Sequence, residues 1–292
     1  YKVAYNGNGA TGGGVSPQTC AYGTSYNYQP NGFTRQYTVT YDGNGGQPGV
    51  ASHTVQYGFK GWSTNQAATS GVAAGTIFSN ATQTNGATIQ LYAIWQAASV
   101  QLPTAARVGY QFSGWSTSQG VKNASIAYVP TKNETVKANW KANTYQVKYY
   151  DGFTNEVKGT QTMCYDVKAG LQSFSSLGIS KPGYTFKGWS SNGGVYADGE
   201  QVLNLTTINN DTVTLTATWS ANKDTPYIVR RYVQKESGNT NLNTGYEVYT
   251  GKEVQGEEIF YGESDSTVTV PATAISGYIT PDAQMVKIAA DG

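Results

Sequence analysis

Charged residues are scarce in this 292-residue chain. Asp, Glu, Lys and Arg make up 13% of it, against roughly 25% in typical soluble domains, and the formal net charge is +1. A near-neutral chain has no strong electrostatic attraction for nucleic acid or an anionic membrane, so neither partner is expected. The low charge does not indicate disorder, because disordered segments have few aromatic residues and this chain has 23 tyrosines and 6 tryptophans.

Histidine and cysteine are almost absent. His53 is the only histidine, so a catalytic triad or a histidine-based metal site would depend on it alone. Its position next to Thr54 in a strand-like segment favours a strand surface residue. The cysteines, Cys20 and Cys164, occupy near-equivalent places in two repeated segments, and a disulfide between them would have to join separate modules. We expect two free thiols.

No apolar run is long enough to cross a bilayer, and neither a signal peptide nor an anchor motif is visible. The sequence begins inside a strand-like segment, YKVAY, and stops at AADG without a natural ending. We therefore expect a monomeric segment of a longer protein, without membrane insertion in this part.

Two short motifs resemble ligand-binding loops but lack the sequence context that such loops need. GNGATG at residues 7–12 has the glycine spacing of a dinucleotide-binding loop, yet GGVSPQTC follows it instead of a helix. Asp42 and Asn44 resemble the start of a calcium loop, but GGQPGV replaces the later acidic ligands. Because Asn-Gly is typical of tight hairpin turns, we interpret both motifs as turns.

The acidic pairs Glu257–Glu258 and Asp198–Glu200 are close in sequence. A glycosidase needs two carboxylates that face each other across a cleft, and sequence neighbours do not establish this. The sequence therefore predicts no catalytic residue, no metal ligand and no cofactor, and we expect a protein that is not an enzyme.

The chain does contain a repeated tryptophan pattern. A segment of the form Tyr-x-Phe-x-Gly-Trp-Ser occurs three times, and each copy is followed by a strand-like run that ends in a second tryptophan. A repeated supersecondary unit is therefore the organising feature, and we interpret the tryptophans as core residues. The three tryptophan pairs are Trp62 with Trp95, Trp115 with Trp140, and Trp189 with Trp219.

A hairpin pattern also occurs three times. We call the segment from each Gly-Trp motif to its second tryptophan a tail, and the order along the chain is hairpin, hairpin, tail, tail, hairpin, tail. When residues 37–55 are left out, Arg35 precedes Tyr57 by the same spacing as Arg107 precedes Tyr110. We therefore interpret 37–55 as a hairpin inserted into the first repeat. An isolated hairpin is marginally stable, and a tail without its own hairpin leaves a sheet edge unpaired. We therefore predict that this hairpin packs between the first two repeats and helps to complete the second.

The sequence predicts four modules. They are repeat 1 at residues 1–95 with the inserted hairpin 37–55, repeat 2 at 96–141 without a hairpin of its own, repeat 3 at 142–221, and a different β module at 222–292 that we expect to be truncated. Helix signals are weak throughout, so the predicted class is mainly β, and α+β at most.

The pattern VTYDGNGG…TVxYG…GYxFxGW…LYAxW resembles the Listeria–Bacteroides repeat, also known as the B-repeat of internalin B. This resemblance covers about residues 1–220 and implies tandem, small β-grasp (ubiquitin-like) modules that form an elongated rod on secreted or wall-anchored bacterial surface proteins, without enzymatic activity. The last module resembles a mucin-binding-protein (MucBP) repeat in its segments IVRRYV, TVTVPAT and GYITP.

The resemblance favours a stalk segment of a bacterial cell-surface adhesin. Such a segment is extracellular and attached to the cell wall through regions outside this chain. One alternative is a set of modules that bind host glycoprotein or mucin glycan, with Tyr246, Tyr249 and Tyr261 as candidate sugar-stacking residues. Another is a non-catalytic spacer of a larger secreted enzyme. Buried aromatic residues would favour the stalk, and exposed ones in a shallow groove would favour glycan binding.

Overall fold

The computed structural model describes residues 1–235, 240–241 and 244–290. Within these ranges the chain forms only strands, turns and loops, so the prediction of a mainly β protein is confirmed. The described residues include no helix of the length and apolarity needed to span a membrane. The chain divides into two compact units, Tyr1–Asn143 and Thr144–Gly292. The boundaries of the four predicted modules are finer than this division and stay predictions.

The first unit consists of long sheet strands and short two-residue strands that pair across loops. In chain order these strands are β1 (Lys2–Asn6), β2 (Gly12–Gly13), β3 (Gln18–Thr19), β4 (Tyr26–Asn27), β5 (Phe33–Thr34), β6 (Gln36–Asp42), β7 (Gln47–Pro48), β8 (Ser52–Gln56), β9 (Gly58–Ser63), β10 (Ile77–Phe78), β11 (Thr88–Gln96), β12 (Val100–Gln101), β13 (Ala105–Ala106), β14 (Tyr110–Thr117), β15 (Gly120–Lys122), β16 (Ala127–Tyr128) and β17 (Glu134–Ala142).

The second unit has the same kinds of strand over its described residues. They are β18 (Thr144–Tyr150), β19 (Val157–Cys164), β20 (Ala169–Gly170), β21 (Tyr184–Ser191), β22 (Gly194–Tyr196), β23 (Gln201–Val202), β24 (Thr212–Ala221), β25 (Thr225–Arg230), β26 (Tyr232–Gln234), β27 (Tyr246–Val248), β28 (Glu257–Gly262), β29 (Thr267–Val270) and β30 (Gln284–Lys287).

Three sheets share one topology, and we name them repeats 1, 2 and 3. Repeat 3 has the strand order β19-β18-β24-β21-β22, repeat 2 has β8-β6-β17-β14-β15, and repeat 1 has β3-β1-β11-β9. In each sheet the first strand of the hairpin is parallel to the last strand, and the Gly-Trp strand is antiparallel to that last strand on its other side. The three repeats are therefore three copies of one sheet.

Alternating side chains explain why these segments form strands. In β6, Tyr37, Val39 and Tyr41 are buried and the residues between them are more exposed, as expected when one face of a strand covers a core. The strand ends at a tight turn in which Asn44 and Gly45 have φ angles of 47° and 84°. Asparagine and glycine tolerate this left-handed conformation, and the prediction of a turn at DGNGG is therefore confirmed.

Strands β6 and β8 form the hairpin that the sequence analysis places at 37–55. They pair with each other from the Gln36–Gln56 pair onward. On its other side β6 runs parallel to β17, from the Val39–Glu134 pair to the Asp42–Lys137 pair. The hairpin therefore belongs to the sheet of repeat 2, although the chain enters and leaves it from repeat 1.

Each repeat has its own hydrophobic core, which lies on one face of its sheet around a fully buried tryptophan. A fourth, smaller cluster lies at the base of the hairpin, where Tyr37, Val55 and Tyr57 pack against Trp95 of repeat 1 and against residues that lead into repeat 2. Repeats 1 and 2 thus share buried surface within the first unit.

The last module, residues 222–290 with the gaps given above, has much less core than the repeats. Its strands form three two-stranded sheets, and Val233 and Ile288 are the buried apolar side chains among its described residues. Tyr261 and Met285 are 67% and 75% exposed. One end of the module packs on repeat 3, where the Tyr184 hydroxyl donates a hydrogen bond to Asp265 (2.7 Å).

Candidate functional sites

A cluster of four aromatic side chains recurs in each repeat. In repeat 3, the Phe186 ring lies between Trp189 and Trp219, at centroid distances of 5.2 and 5.5 Å. Tyr149 packs on the far side of Trp189 at 4.9 Å. Edge-on contacts of this kind add to the stabilisation that the buried area gives. The equivalent clusters are Tyr5, Phe59, Trp62 and Trp95 in repeat 1, and Tyr41, Phe112, Trp115 and Trp140 in repeat 2.

The second tryptophan of every repeat ties the last strand to the hairpin turn. The indole N–H of Trp95, Trp140 or Trp219 donates to the carbonyl oxygen of Gly7, Gly43 or Asp151. The first tryptophan of each pair is at most 1% exposed, and the second is half-buried against the core. The tryptophans are therefore core residues, and none of them forms an open platform for a ligand.

Repeat 3 differs from the other two in the hydrogen bond of its first tryptophan. The indole N–H groups of Trp62 and Trp115 donate to the carbonyl oxygens of Gln29 (2.9 Å) and Pro103 (2.7 Å). Trp189 is equally buried, yet its indole N–H has no acceptor among the described residues. The Gln172 side-chain oxygen is also buried without a donor there. Repeat 3 thus contains two buried polar atoms that the structure leaves unsatisfied.

A buried carboxylate is the second difference. Asp151 occupies the position of Gly7 and Gly43, and its carboxylate accepts hydrogen bonds from the backbone N–H groups of Phe153 (3.0 Å) and Thr154 (2.8 Å). Burial by itself would raise the pKa of Asp151, but these bonds, the Thr154 hydroxyl and Lys158 lower it to about 2. The charge organises the turn of the hairpin, and it is not presented to solvent.

The remaining candidate groups are occupied by structural contacts. His53 lies half-buried on β8, with Nδ1 3.1 Å from the hydroxyl of Tyr41, and burial raises the pKa of Tyr41 to about 12. The Glu257 carboxylate lies 2.6 Å from Nε of Arg230, and the Glu258 carboxylate lies 2.5 Å from Nη1 of Arg231. Asp198 accepts a hydrogen bond from the backbone N–H of Phe174, in another loop, and Glu200 accepts one from the backbone N–H of Ala197.

The three tyrosines proposed for sugar stacking do not form one site. Tyr246 lies on β27 and lines a groove together with Tyr232 and Tyr278, and the lining also includes charged residues such as Arg231 and Asp282. Tyr249 follows that strand, is half-buried and lies over Gly251. Tyr261 is exposed on β28 and is not part of the groove lining.

A second groove lies in repeat 3, beside the turn between β21 and β22 and the first half of β24. Its lining side chains are uncharged and include Ser190, Asn192, Tyr196, Thr214 and Thr216. Thr216 pairs with Ser190 across two strands of the sheet. The equivalent partners in repeats 1 and 2 are the larger Tyr92 and Lys137. Thr216 is thus smaller than its equivalents, and sequence reasoning missed the groove because its lining residues come from separate strands and loops.

The repeated geometry agrees with a comparison against protein families. A family model described as "Divergent InlB B-repeat domain" matches residues 66–144 and 154–223, just over half of the chain. The chain belongs to the divergent InlB B-repeat family. This result supports the Listeria–Bacteroides part of the predicted resemblance, whereas nothing in it bears on the MucBP part. A search of curated proteins finds no match.

The two matches of the InlB B-repeat family relate differently to the sheets. The match at 154–223 covers β19 to β24 of repeat 3 and begins after the first hairpin strand, β18. The match at 66–144 combines the end of repeat 1 with the contiguous part of repeat 2, and it does not contain the hairpin that completes the repeat 2 sheet. The family pattern therefore follows contiguous sequence, whereas the sheet of repeat 2 does not.

One further feature of these B-repeats is a cation on the tyrosine that begins each Gly-Trp strand. Arg107 lies 3.8 Å from the ring centroid of Tyr110, and Lys181 lies 3.6 Å from that of Tyr184. In each case the tyrosine N–H also donates to the carbonyl oxygen of the basic residue. In repeat 1, Tyr57 makes the same backbone bond to Arg35 (2.8 Å) across the inserted hairpin. In the sequence the spacing of Arg107 and Tyr110 served to locate the inserted hairpin, and the contact between cation and ring was not predicted.

The described residues contain no group of three or more His, Cys, Asp or Glu side chains that could hold a metal ion. Cys20 is buried and Cys164 is half-buried, and both are free thiols.

Proposed function

We propose that this tandem B-repeat segment is part of the stalk of a bacterial cell-surface adhesin and is not itself catalytic. The observation that carries the proposal is the use of the tryptophans and their aromatic partners as repeated core clusters in three copies of one sheet. Tandem copies of a self-contained sheet extend a chain without requiring a ligand site in each copy. An extracellular location follows from the same proposal.

The sheet order supports small β-grasp modules as the building block. The order is second hairpin strand, first hairpin strand, last strand and Gly-Trp strand, with the first and last strands parallel. The crossover is made by loops and short strands in place of a helix. The elongated arrangement of the modules and the MucBP character of the last one stay predictions.

The stalk proposal is tested on bacteria that display a small binding protein on the cell wall, with and without this chain between binder and anchor. We expect the chain to increase capture of a target held above a thick glycan layer. Cells that carry this chain without the binder test for adhesion by the chain itself, and cells that carry an unrelated folded spacer of equal residue number without the binder are their control. Equal capture with and without the chain would contradict the stalk proposal, and adhesion without the binder would show attachment by the segment.

The uncharged groove of repeat 3 favours a second function, which is binding of a neutral saccharide. Hydroxyl and amide groups beside one tyrosine ring suit the hydroxyls and the apolar face of a sugar. Calorimetric titration with a panel of neutral oligosaccharides tests this function. We expect Tyr196→Ala to abolish binding because it removes the tyrosine ring from the groove. We expect Thr216→Lys to abolish it because lysine, the residue at the equivalent position of repeat 2, is larger and charged. Tyr22→Ala, at an exposed tyrosine outside the groove, is the control. Unchanged binding in both groove variants would contradict this site, and Tyr246→Ala and Tyr261→Ala would then test the last module.

A further inference from the structure

The hairpin of residues 36–56 connects two repeats in an unusual way. It leaves repeat 1 at the turn where Tyr57 N–H bonds to the Arg35 carbonyl oxygen, so both of its ends are held in repeat 1. Its body lies in the sheet of repeat 2, next to β17. The chain then finishes repeat 1 through β9 and β11 before it builds the rest of repeat 2.

The surface that receives the hairpin is made by residues 98–143. Val39 is fully buried and Tyr41 is 5% exposed, and the Tyr41 ring lies 5.1 Å from that of Trp115. Val136 of β17 is buried in the same cluster. Without the hairpin, the backbone edge of β17 would be unpaired and these apolar side chains would face water, and both changes are unfavourable.

The base of the hairpin adds contacts that reach from repeat 1 into repeat 2. The Tyr57 hydroxyl donates a buried hydrogen bond to the Pro130 carbonyl oxygen (2.8 Å). The Thr38 N–H donates to the Asn133 side-chain oxygen (2.8 Å). Tyr37 and Val55 pack beside Trp95, so the base is anchored to repeat 1 by apolar contacts as well.

Repeat 3 has no such arrangement. Its hairpin strands β18 and β19 are followed directly by the other strands of the same sheet. The chain within repeat 3 is therefore continuous, whereas repeats 1 and 2 are each built from two separated segments.

We propose that residues 98–143 carry a docking surface for a β-hairpin supplied from outside their own contiguous sequence. The occupant is the 36–56 hairpin of the same chain. Backbone pairing with β17 and burial of Val39 and Tyr41 hold it there. Repeats 1 and 2 consequently stay one body even when the chain that joins β11 to repeat 2 is cut.

The test uses the full chain with a protease site introduced at Ala97, which is exposed between β11 and β12. The protein is folded, cut and passed over a size-exclusion column in native buffer, with native mass spectrometry of the peak. We expect the fragments 1–97 and 98–292 to elute together, at the volume of the uncut chain, and to separate in denaturant. Separation in native buffer would overturn the proposal.

A hairpin variant shows which surface holds the fragments. Val39→Ala removes buried apolar volume and leaves the strand intact, and we expect at least a fivefold higher dissociation constant for the cut fragments. Val195→Ala, at an exposed strand position of repeat 3 outside the hairpin and residues 98–143, is the matched control and should leave the dissociation constant unchanged. Circular dichroism of the uncut variants checks that both are folded. A folded Val39→Ala protein whose fragments dissociate as in the parent would also overturn the proposal.

Discussion

Repeats 2 and 3 have the same five-stranded sheet order and the same aromatic cluster, but they are built from different chain paths. Repeat 3 is continuous, and repeat 2 takes two of its strands from a hairpin inside repeat 1. The comparison shows that the sheet is specified by local elements, namely the hairpin, the Gly-Trp strand and the last strand. Their order in the sequence is secondary, provided that the chain can bring them together.

The two repeats also have different polar groups around the same aromatic cluster. Repeat 2 has Gly43 at the hairpin turn and a satisfied indole N–H at Trp115. Repeat 3 has the buried Asp151 at that turn and an unsatisfied indole N–H at Trp189. The apolar cluster is thus held constant while the polar groups around it vary.

The largest expected effect comes from removing the buried tryptophans. Trp115→Ala and Trp189→Ala should each lower the free energy of unfolding of the affected unit by about 3–5 kcal/mol, because each leaves a cavity in a core. Hydrogen exchange should show loss of protection in both repeats 1 and 2 for Trp115→Ala, since these share the cluster around Tyr37 and Trp95. For Trp189→Ala the loss should stay within residues 144–290. Unchanged protection of β1 and β11 in Trp115→Ala would contradict the coupling of repeats 1 and 2.

The next effect concerns the buried carboxylate at the hairpin turn of repeat 3. Asp151→Asn should lower the free energy of unfolding of the second unit at neutral pH by about 1–3 kcal/mol, because hydrogen bonds to a charged acceptor are lost. The folded-state pKa of about 2 lies below the ordinary value, so the carboxylate stabilises the fold fully above about pH 4 and loses this effect as the pH falls toward 2. Thermal unfolding from pH 2 to 7 measures it. A parent protein and an Asp151→Asn variant with parallel pH profiles would contradict this role.

A smaller difference is expected from the two indole N–H groups. Trp115→Phe leaves the Pro103 carbonyl oxygen without its donor, whereas Trp189→Phe removes a donor that had no acceptor. Both substitutions reduce packing similarly, so Trp115→Phe should cost about 1 kcal/mol more in the free energy of unfolding. Denaturant unfolding of the two variants gives this difference. Equal costs would indicate that Trp189 is satisfied in solution, for example by a buried water.

The smallest effect is expected where repeat 3 meets the last module. Lys287 and the Tyr184 hydroxyl both bond to Asp265 and lower its pKa, but the group is exposed. Because solvent and salt screen exposed pairs, Asp265→Asn should change the unfolding midpoint less than any variant above, and less still at high salt. Glu257→Gln, in the exposed pair with Arg230, is the matched control. An effect of Asp265→Asn as large as that of Asp151→Asn would contradict this expectation.

Much of the repeat could be predicted because its signals are local. The Gly-Trp strands, the Asn-Gly turn at Asn44 and the spacing that relates Arg35 to Tyr57 all lie in short stretches of sequence. The groove of repeat 3 could not be predicted in the same way. It depends on the pairing of Thr216 with Ser190 and on the approach of the β21–β22 turn and Leu205 to β24, which bring together residues that are distant in sequence. The separate locations of Tyr246, Tyr249 and Tyr261 could not be predicted for the same reason.

The sequence by itself determined the elements of this protein: alternating strands, left-handed turns, and two tryptophans for each repeat. These follow from backbone preference and from the side-chain period of a strand, which act over a few residues. The repeat order along the chain also predicted that the inserted hairpin helps to complete repeat 2, which the pairing of β6 with β17 confirms. Only the tertiary structure decided the register of that pairing, and that Asp151 is buried with a lowered pKa while Asp265 is exposed. These outcomes depend on apolar area and hydrogen-bond partners that come together from distant positions, and no short stretch of sequence contains that information.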